Sequence, residues 1–430
     1  MKKLLATILA LVMALGLCSV SWAEENKPVY PENVTTESFG ENNVYYVKAD
    51  GTGAYALDVK TATDAGAVTI YCKANANMKV RQTDTNRTEP LKGSVTIYGN
   101  GANFNGGQIN IQPDASVSDT LSLVIENANN LSVWGNPGKD NKTYNVTLKN
   151  CTVKKDSGEG ILMYRGGADG TTVLNLIVDQ CTVEAEGTTA MDGIHTTVAG
   201  SIKVTNSKFI KNANAINVAM KVPGTMQITV EKCTFEECGL VTTGEGDYRA
   251  PIRVVKTGAG TLTATINEST FKDTVGTNGD ILVGDGRYDS QTNASKESLP
   301  VEVTVTKSNA NVQVQEKGYM NSDGTKNDDK VSTTPVKESQ TLTVKPATDS
   351  KSTVKVEDNA TSTGGYYYHP TTDTKTDTTK GSPKTFDAGI GIYAVTAVLS
   401  VTGMAWTDKS VTESKKRKPE RAFFFAPASG

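Results

Sequence analysis

Two carboxylates and an arginine are the residues of this chain best placed to do chemistry. Glu159 and Asp192 each stand two residues before an isoleucine, Ile161 and Ile194, and Asn214 stands likewise before Ile216. If these segments are strands on adjacent layers, the two carboxyl groups lie about 5 Å apart. That is close to the ~5–5.5 Å of a retaining glycosidase pair. The same pair would suit Ca²⁺, which a lyase uses to neutralise acidic sugars. Directly after the isoleucines come Leu162, His195, Asn217, Arg253 and Leu282, one outward column carrying three polar side chains. The chain has only 2 histidines. With His369 in a polar linker, any Ser-His or Cys-His scheme must use His195, and no nucleophile elbow stands near it. The plain alternative is a solvated ladder of polar side chains.

Two loops echo each other around this column. Gly244-Glu-Gly-Asp-Tyr-Arg249 and Gly284-Asp-Gly-Arg-Tyr-Asp289 each join turn glycines to an acid, an arginine and a tyrosine. Tyr248 or Tyr288 can stack on a sugar ring while Asp247, Arg249, Asp285 and Arg287 bind hydroxyls, although corner loops need no such role. No cofactor is expected, Ca²⁺ on Glu159 and Asp192 being the one metal the residues suggest. Cys233 and Cys238 have no second pair and no histidine nearby, which leaves a zinc site unsupported.

The elements that position these residues are repeats. Five segments align without gaps, beginning at Asn145, Asn175, Ser201, Gln227 and Thr263. Val146, Leu176, Ile202, Ile228 and Ala264 share a column, as do Leu148, Val178, Val204, Val230 and Ile266. After a polar step come Cys151, Cys181, Ser207, Cys233 and Ser269, then Val153, Val183, Phe209, Phe235 and Phe271. The period is two, shifts by one residue, then resumes: a strand, a sharp corner and a second strand. The isoleucine segments supply a third strand. Three short strands per coil of roughly 22–30 residues describe a parallel β-helix, in which stacked coils share one core. The five cysteines beyond residue 23 are an odd number, so a complete disulfide framework is excluded. A ladder of small buried side chains suits them better.

Composition agrees with this architecture. Of 430 residues 37% are apolar and 6% aromatic, below the ~45–50% apolar content of an average globular domain. A thin stacked column needs few large side chains. The formal charge is −3, but both ends are basic, and residues 24–407 carry −8. That acidic body lacks the basic footprint of a nucleic-acid binder.

Both ends read as addresses. Lys2-Lys3, the apolar run Leu4 to Leu17 and Ser21-Trp22-Ala23 have the layout of a secretory signal. Ile390 to Trp406 is an uncharged apolar segment followed by Lys409, Lys415, Lys416, Arg417 and Lys418. This arrangement predicts a transmembrane helix with a cytoplasmic C-terminus. Just upstream, Ser382-Pro383-Lys384-Thr385-Phe386 with the span and basic tail resembles the sorting signals of Gram-positive surface proteins. Ser382 stands where that motif has leucine and Phe386 where it has glycine.

Val44-Tyr-Tyr-Val, the turn at Gly51-Thr-Gly53, a short helical piece near Leu57–Thr63 and Val68-Thr-Ile-Tyr71 resemble the N-terminal cap of pectate-lyase-like right-handed β-helix proteins. The resemblance extends to about residue 284. It implies that Arg253 is the candidate for a lyase-type catalytic arginine. Met191-Asp-Gly-Ile194 is similar to the Asp-Gly motif of β-helix polygalacturonases, whose Gly-His-Gly and further paired aspartates have no counterpart here.

The expected organisation is a signal peptide (1–23), a β-helix with N-terminal cap (24–299) and closing strands (300–358). A Thr/Ser-rich stalk (359–387), a transmembrane anchor (388–407) and a cytoplasmic basic tail (408–430) follow. The fold class is all-β. The expected function is cell-surface display with adhesion or glycan binding and no catalysis, the partners being a glycan or host-surface ligand and the membrane. The alternatives are a polysaccharide lyase or glycoside hydrolase using Glu159, Asp192 and Arg253, and a structural spacer.

Overall fold

The computed structural model describes residues 27–77, 90–111, 119–135, 141–155, 158–163, 171–186, 191–239, 249–276, 278–284, 288–289, 294–295, 301–315, 331–346 and 352–358. The chain divides into Met1–Tyr368 and His369–Gly430. The second unit lies outside the described residues, and with it the stalk, the sorting-like motif and the apolar segment 390–406. No helix among the described residues is long and apolar enough to cross a membrane.

Within the first unit the strands stack as a three-sided parallel β-helix. One side runs in parallel register through Ala67–Cys72, Val95–Tyr98, Thr120–Glu126, Thr143–Lys149, Val173–Asp179, Ala199–Thr205, Gly224–Glu231, Gly260–Asn267 and Glu302–Thr306. The two other sides belong to one continuous sheet, because Asn129–Gly135 serves both. Its Leu131 pairs with Val153 of the second side, and its Val133 pairs with Ile161 of the third.

The one-residue shift seen in the sequence has a backbone cause. Asn127, Asn150, Gln180, Asn206, Lys232, Glu268 and Lys307 all adopt φ between 47° and 55°. A single left-handed residue turns the chain sharply and exchanges the faces of the strand. The next residue then points inward: Ala128, Cys151, Cys181, Ser207, Cys233, Ser269 and Ser308 are all buried.

That column is a hydrogen-bond ladder as well as a packing ladder. The corner amide of Cys181 donates to Ser207 Oγ on the next coil at 3.1 Å, Cys233 N to Ser269 Oγ at 3.2 Å and Ser269 N to Ser308 Oγ at 3.0 Å. Each hydroxyl or thiol in turn donates to the carbonyl two residues back, as Ser207 Oγ does to Thr205 O at 2.7 Å. A small side chain with both a donor and an acceptor is therefore required where the corner breaks the strand ladder. The five cysteines are free and buried. Deeper in, Phe209, Phe235 and Phe271 stack at 5.2 and 4.8 Å between ring centroids.

Both open ends of the core are closed. Val44–Lys48 pairs antiparallel with Ala67–Cys72 and with Gly53–Ala56. A short helix, α1 (Val59–Asp64), is capped by Asp58 Oδ1 accepting from Thr61 N at 2.7 Å, and it buries Val59 and Ala62. At the other end the closure starts later than the expected boundary at 300. Glu302–Thr306 and Ala310–Gln315 are still parallel to the coils before them. Val303, Val305 and Ser308 occupy the repeat columns, so residues 301–315 form one more coil. Antiparallel strands begin only at Val331–Val336, followed by Gln340–Pro346 and Ser352–Asp358.

Candidate functional site

The third side holds the residues singled out from the sequence. Its register sets Leu162, His195, Asn217, Arg253, Leu282 and Gln313 in one column, as expected, and places Glu159 opposite Asp192. Strict alternation would point Asp192 into the core with Ile194, yet Met191 and Ile194 fill the core while Asp192 turns to the polar side chains of the neighbouring coils. The strand stays in register with both neighbours across Gly193, where a Cβ would sit 2.5 Å from Ala215 O and 3.1 Å from Phe209. Gly193 is thus squeezed against the core, and Asp192 and His195, three residues apart, share the outer face.

Asp192 is the hub of a buried network. Its Oδ1 accepts from Asn214 Nδ2 at 2.8 Å, Asn214 N at 3.2 Å and Arg249 Nη1 at 2.9 Å. Its Oδ2 accepts from Asn217 Nδ2 at 2.7 Å, and His195 Nδ1 lies 3.5 Å away. Asn217 Oδ1 accepts from Arg253 Nη1 at 2.7 Å, and Asn214 Oδ1 from Ala250 N at 3.1 Å. The interaction crosses three coils and runs along the stacking direction.

The expected solvated ladder is therefore corrected. Asp192, Asn214, Asn217, Arg249 and Arg253 are all buried, and Leu282 is fully so. The physical reason is that each polar side chain bends toward its neighbour on the next coil instead of reaching into water. In this low-dielectric layer a charge persists only when paired and hydrogen-bonded, and the Asp192–Arg249 ion pair meets that demand.

Nearby, Asp280 accepts from Thr274 Oγ1 and from Asn311 N, each at 2.7 Å, while burial pushes its carboxyl above the usual range. Burial also pushes the Lys256 ammonium down; its Nζ donates to Gly260 O at 2.9 Å.

Of the two loops, the structure brings one residue, Arg249, to the site. Its carbonyl accepts from Asn278 Nδ2 at 3.1 Å. Asp247, Tyr248, Asp285 and Arg287 lie outside the described residues. For Glu159 and Tyr288 the strand backbone alone is described; Tyr288–Asp289 pairs antiparallel with Ala294–Ser295. Among the described residues no group of three or more His, Cys, Asp or Glu could hold a metal ion.

Sequence reasoning passed over a second surface, on the first side near its N-terminal end. Tyr45, Tyr71 and Tyr98 occupy one outward column, with Tyr71 and Tyr98 stacked at 5.2 Å. The column continues as Glu126 and Lys149. The signal that could have found it is the exact recurrence of Val-Thr-Ile-Tyr at 68–71 and 95–98.

Comparison with known proteins bears on the fold. No curated protein and no solved structure matches the chain. Residues 123–295 match the family model described as a right handed beta helix region. Parallel coils in register run through the described residues of that stretch up to Val283, so the body of this chain is a right-handed parallel β-helix.

Proposed function

We propose that the protein is an exported, membrane- or wall-anchored surface protein whose pectin-lyase-like β-helix binds a glycan or another cell-surface ligand without turning it over. The observation that carries this reading is the saturation of Asp192. Its two oxygens already accept four hydrogen bonds at 2.7–3.2 Å from Asn214, Asn217 and Arg249. A general base or nucleophile needs a lone pair directed at substrate, and Arg253 is itself turned onto Asn217. The expected signal sequence, stalk and anchor support display at the surface.

The test is a glycan array with the purified full-length chain, run beside reducing-sugar and unsaturated-product assays on the same polymers. Binding without product release is the expected result. Turnover of any polymer overturns the reading in favour of a lyase or glycosidase built on Glu159, Asp192 and Arg253. Neither binding nor turnover overturns it in favour of a structural spacer.

A further inference from the structure

We propose that the cleft beside Tyr98, at the first corner of the solenoid, binds one neutral hexose unit of a glycan. The cleft encloses about 200 Å³. Tyr98, Glu126 and Lys149 come from three successive coils in one column. Asn150 and Gln180 line it from the corner beyond, and Lys27 from the N-terminal segment.

That segment is fastened in place. Asn100 Oδ1 accepts from Val29 N at 2.8 Å and Asn100 Nδ2 donates to Val29 O at 3.1 Å, while Tyr30 Oη accepts from Ala74 N at 2.8 Å. The wall carrying Lys27 and Val29 is thus built onto the corner and closes one edge of the cleft.

The lining specifies the ligand chemistry. Glu126 accepts only, Lys27 and Lys149 donate only, and the amides of Asn150 and Gln180 do both. Glu126, Lys27 and Lys149 make no ion pair among the described residues. One aromatic ring beside a mixed set of donors and acceptors suits a pyranose, which has apolar C–H faces and a rim of hydroxyls. Lys27 and Lys149 against Glu126 leave the lining at a formal +1, so an acidic sugar is the competitor that the titration must exclude. A neutral hexose lets its hydroxyls donate to Glu126 and accept from the lysines.

This inference rests on the glycan-binding reading, and the experiment separates the two. The full-length chain is titrated calorimetrically with neutral hexasaccharides of α-1,4-glucose, β-1,4-glucose and α-mannose, and with hexagalacturonate. A neutral hexasaccharide is expected to bind, and Tyr98→Ala and Glu126→Gln each to weaken it at least about fivefold. Lys203→Ala, an exposed change elsewhere on the same side, is expected to leave it unaltered. Lys149→Ala, also exposed, keeps the test valid if loss of the Tyr71 stack destabilises Tyr98→Ala. Neutral binding indifferent to all three cleft variants overturns the site and leaves glycan binding standing. Binding of hexagalacturonate alone overturns the neutral-sugar assignment. No binding of any of the four overturns the site, and the array alone then decides the wider glycan-binding reading.

Discussion

Replacing Asp192 by alanine separates a structural carboxylate from a catalytic one. Asp192 and Arg249 are 7% and 8% exposed, so neither charge can be rehydrated without opening the third side. Alanine removes the acceptor for Arg249 Nη1 and for both asparagine amides. Breaking a buried ion pair from one side costs about 3–5 kcal/mol, a large share of the ~5–15 kcal/mol that holds a typical domain together. Asp192→Asn preserves the shape but also leaves the Arg249 cation unpaired and turns one acceptor into a donor facing donors, so it should cost a comparable amount, about 3–5 kcal/mol. In the double variant Asp192→Ala/Arg249→Met the second change should cost far less than it does alone, because the stranded cation is gone. Urea unfolding followed by circular dichroism measures the parent, both Asp192 variants, Arg249→Met and the double variant. If both Asp192 variants stay within about 0.5 kcal/mol of the parent, with Arg249→Met additive, the carboxylate has no structural duty. Its oxygens would then be free to face a substrate, and their saturation would no longer stand against catalysis.

Four other changes probe the coils themselves. Ser207→Ala orphans the corner amide of Cys181 and should cost about 1–3 kcal/mol in urea unfolding, whereas Ser207→Cys, which restores the Cys151 and Cys181 arrangement, should cost under about 1 kcal/mol; equal losses would count against the ladder. Gly193→Ala drives a methyl to 2.5 Å from Ala215 O and should destabilise by about 1–3 kcal/mol, with a neutral result contradicting that close approach. Cys72, Cys151, Cys181, Cys233 and Cys238 are buried, burial holding Cys233 up to about 11 and Cys238 up to about 12. A thiol reagent at mildly alkaline pH should therefore label them only in denaturant, and rapid native labelling would refute their placement. Asp280 holds its proton more tightly folded than unfolded, so the native state binds more protons over that window and stability falls as pH rises through it. Asp280→Asn removes that fall, and the variant-minus-parent stability should move in the variant's favour from about pH 3 to 7; an unchanged difference would exclude a raised carboxyl.

The coils were legible because burial recurs at fixed offsets. Leu148, Val178, Val204, Val230 and Ile266 are all fully buried on one side of the corner, and alternation declares their direction from sequence alone. The coil at 301–315 was hidden by distance: Ser308 follows Ser269 by 39 residues, and the longer insertion masks a Val303, Val305, Ser308, Ala310 pattern that fits every column. The left-handed corner was visible only as a skipped position. Asparagine there is a recognised signal, but Gln180, Lys232, Glu268 and Lys307 adopt the same φ, held by coil stacking and not by residue type. At the site the coil assignments of Asp192, Asn217 and Arg253 could be read, since they follow from register. Their burial could not, because the hydrogen bonds that fold these side chains over run between coils and belong to no single segment.

A regular solenoid gives each outward position a neighbour of the same kind about 4.8 Å away, and like neighbours satisfy one another. Asn175 Nδ2 donates to Asn145 Oδ1 at 3.0 Å, and Ser201 Oγ donates to Asn175 Oδ1 at 2.9 Å. Lys208 and Lys272 hold Glu236 between them, keeping its carboxyl below the usual range. Such ladders consume the hydrogen-bonding capacity that a ligand would need. The Asp192 network is the buried extreme of the same behaviour, with both oxygens occupied. Capacity survives where the column changes chemical type between coils and the geometry prevents pairing. In the column Tyr71, Tyr98, Glu126, Lys149 and Asp179 the type changes at each of the last three steps. Glu126 and Lys149 stand on adjacent coils with opposite charges, yet form no ion pair among the described residues. An unmade pair beside an aromatic ring and a fixed N-terminal wall leaves donors and acceptors available to a ligand. By this reasoning the residues most like an active site in sequence are the least available in the fold, and recognition belongs at the corner where the ladder breaks.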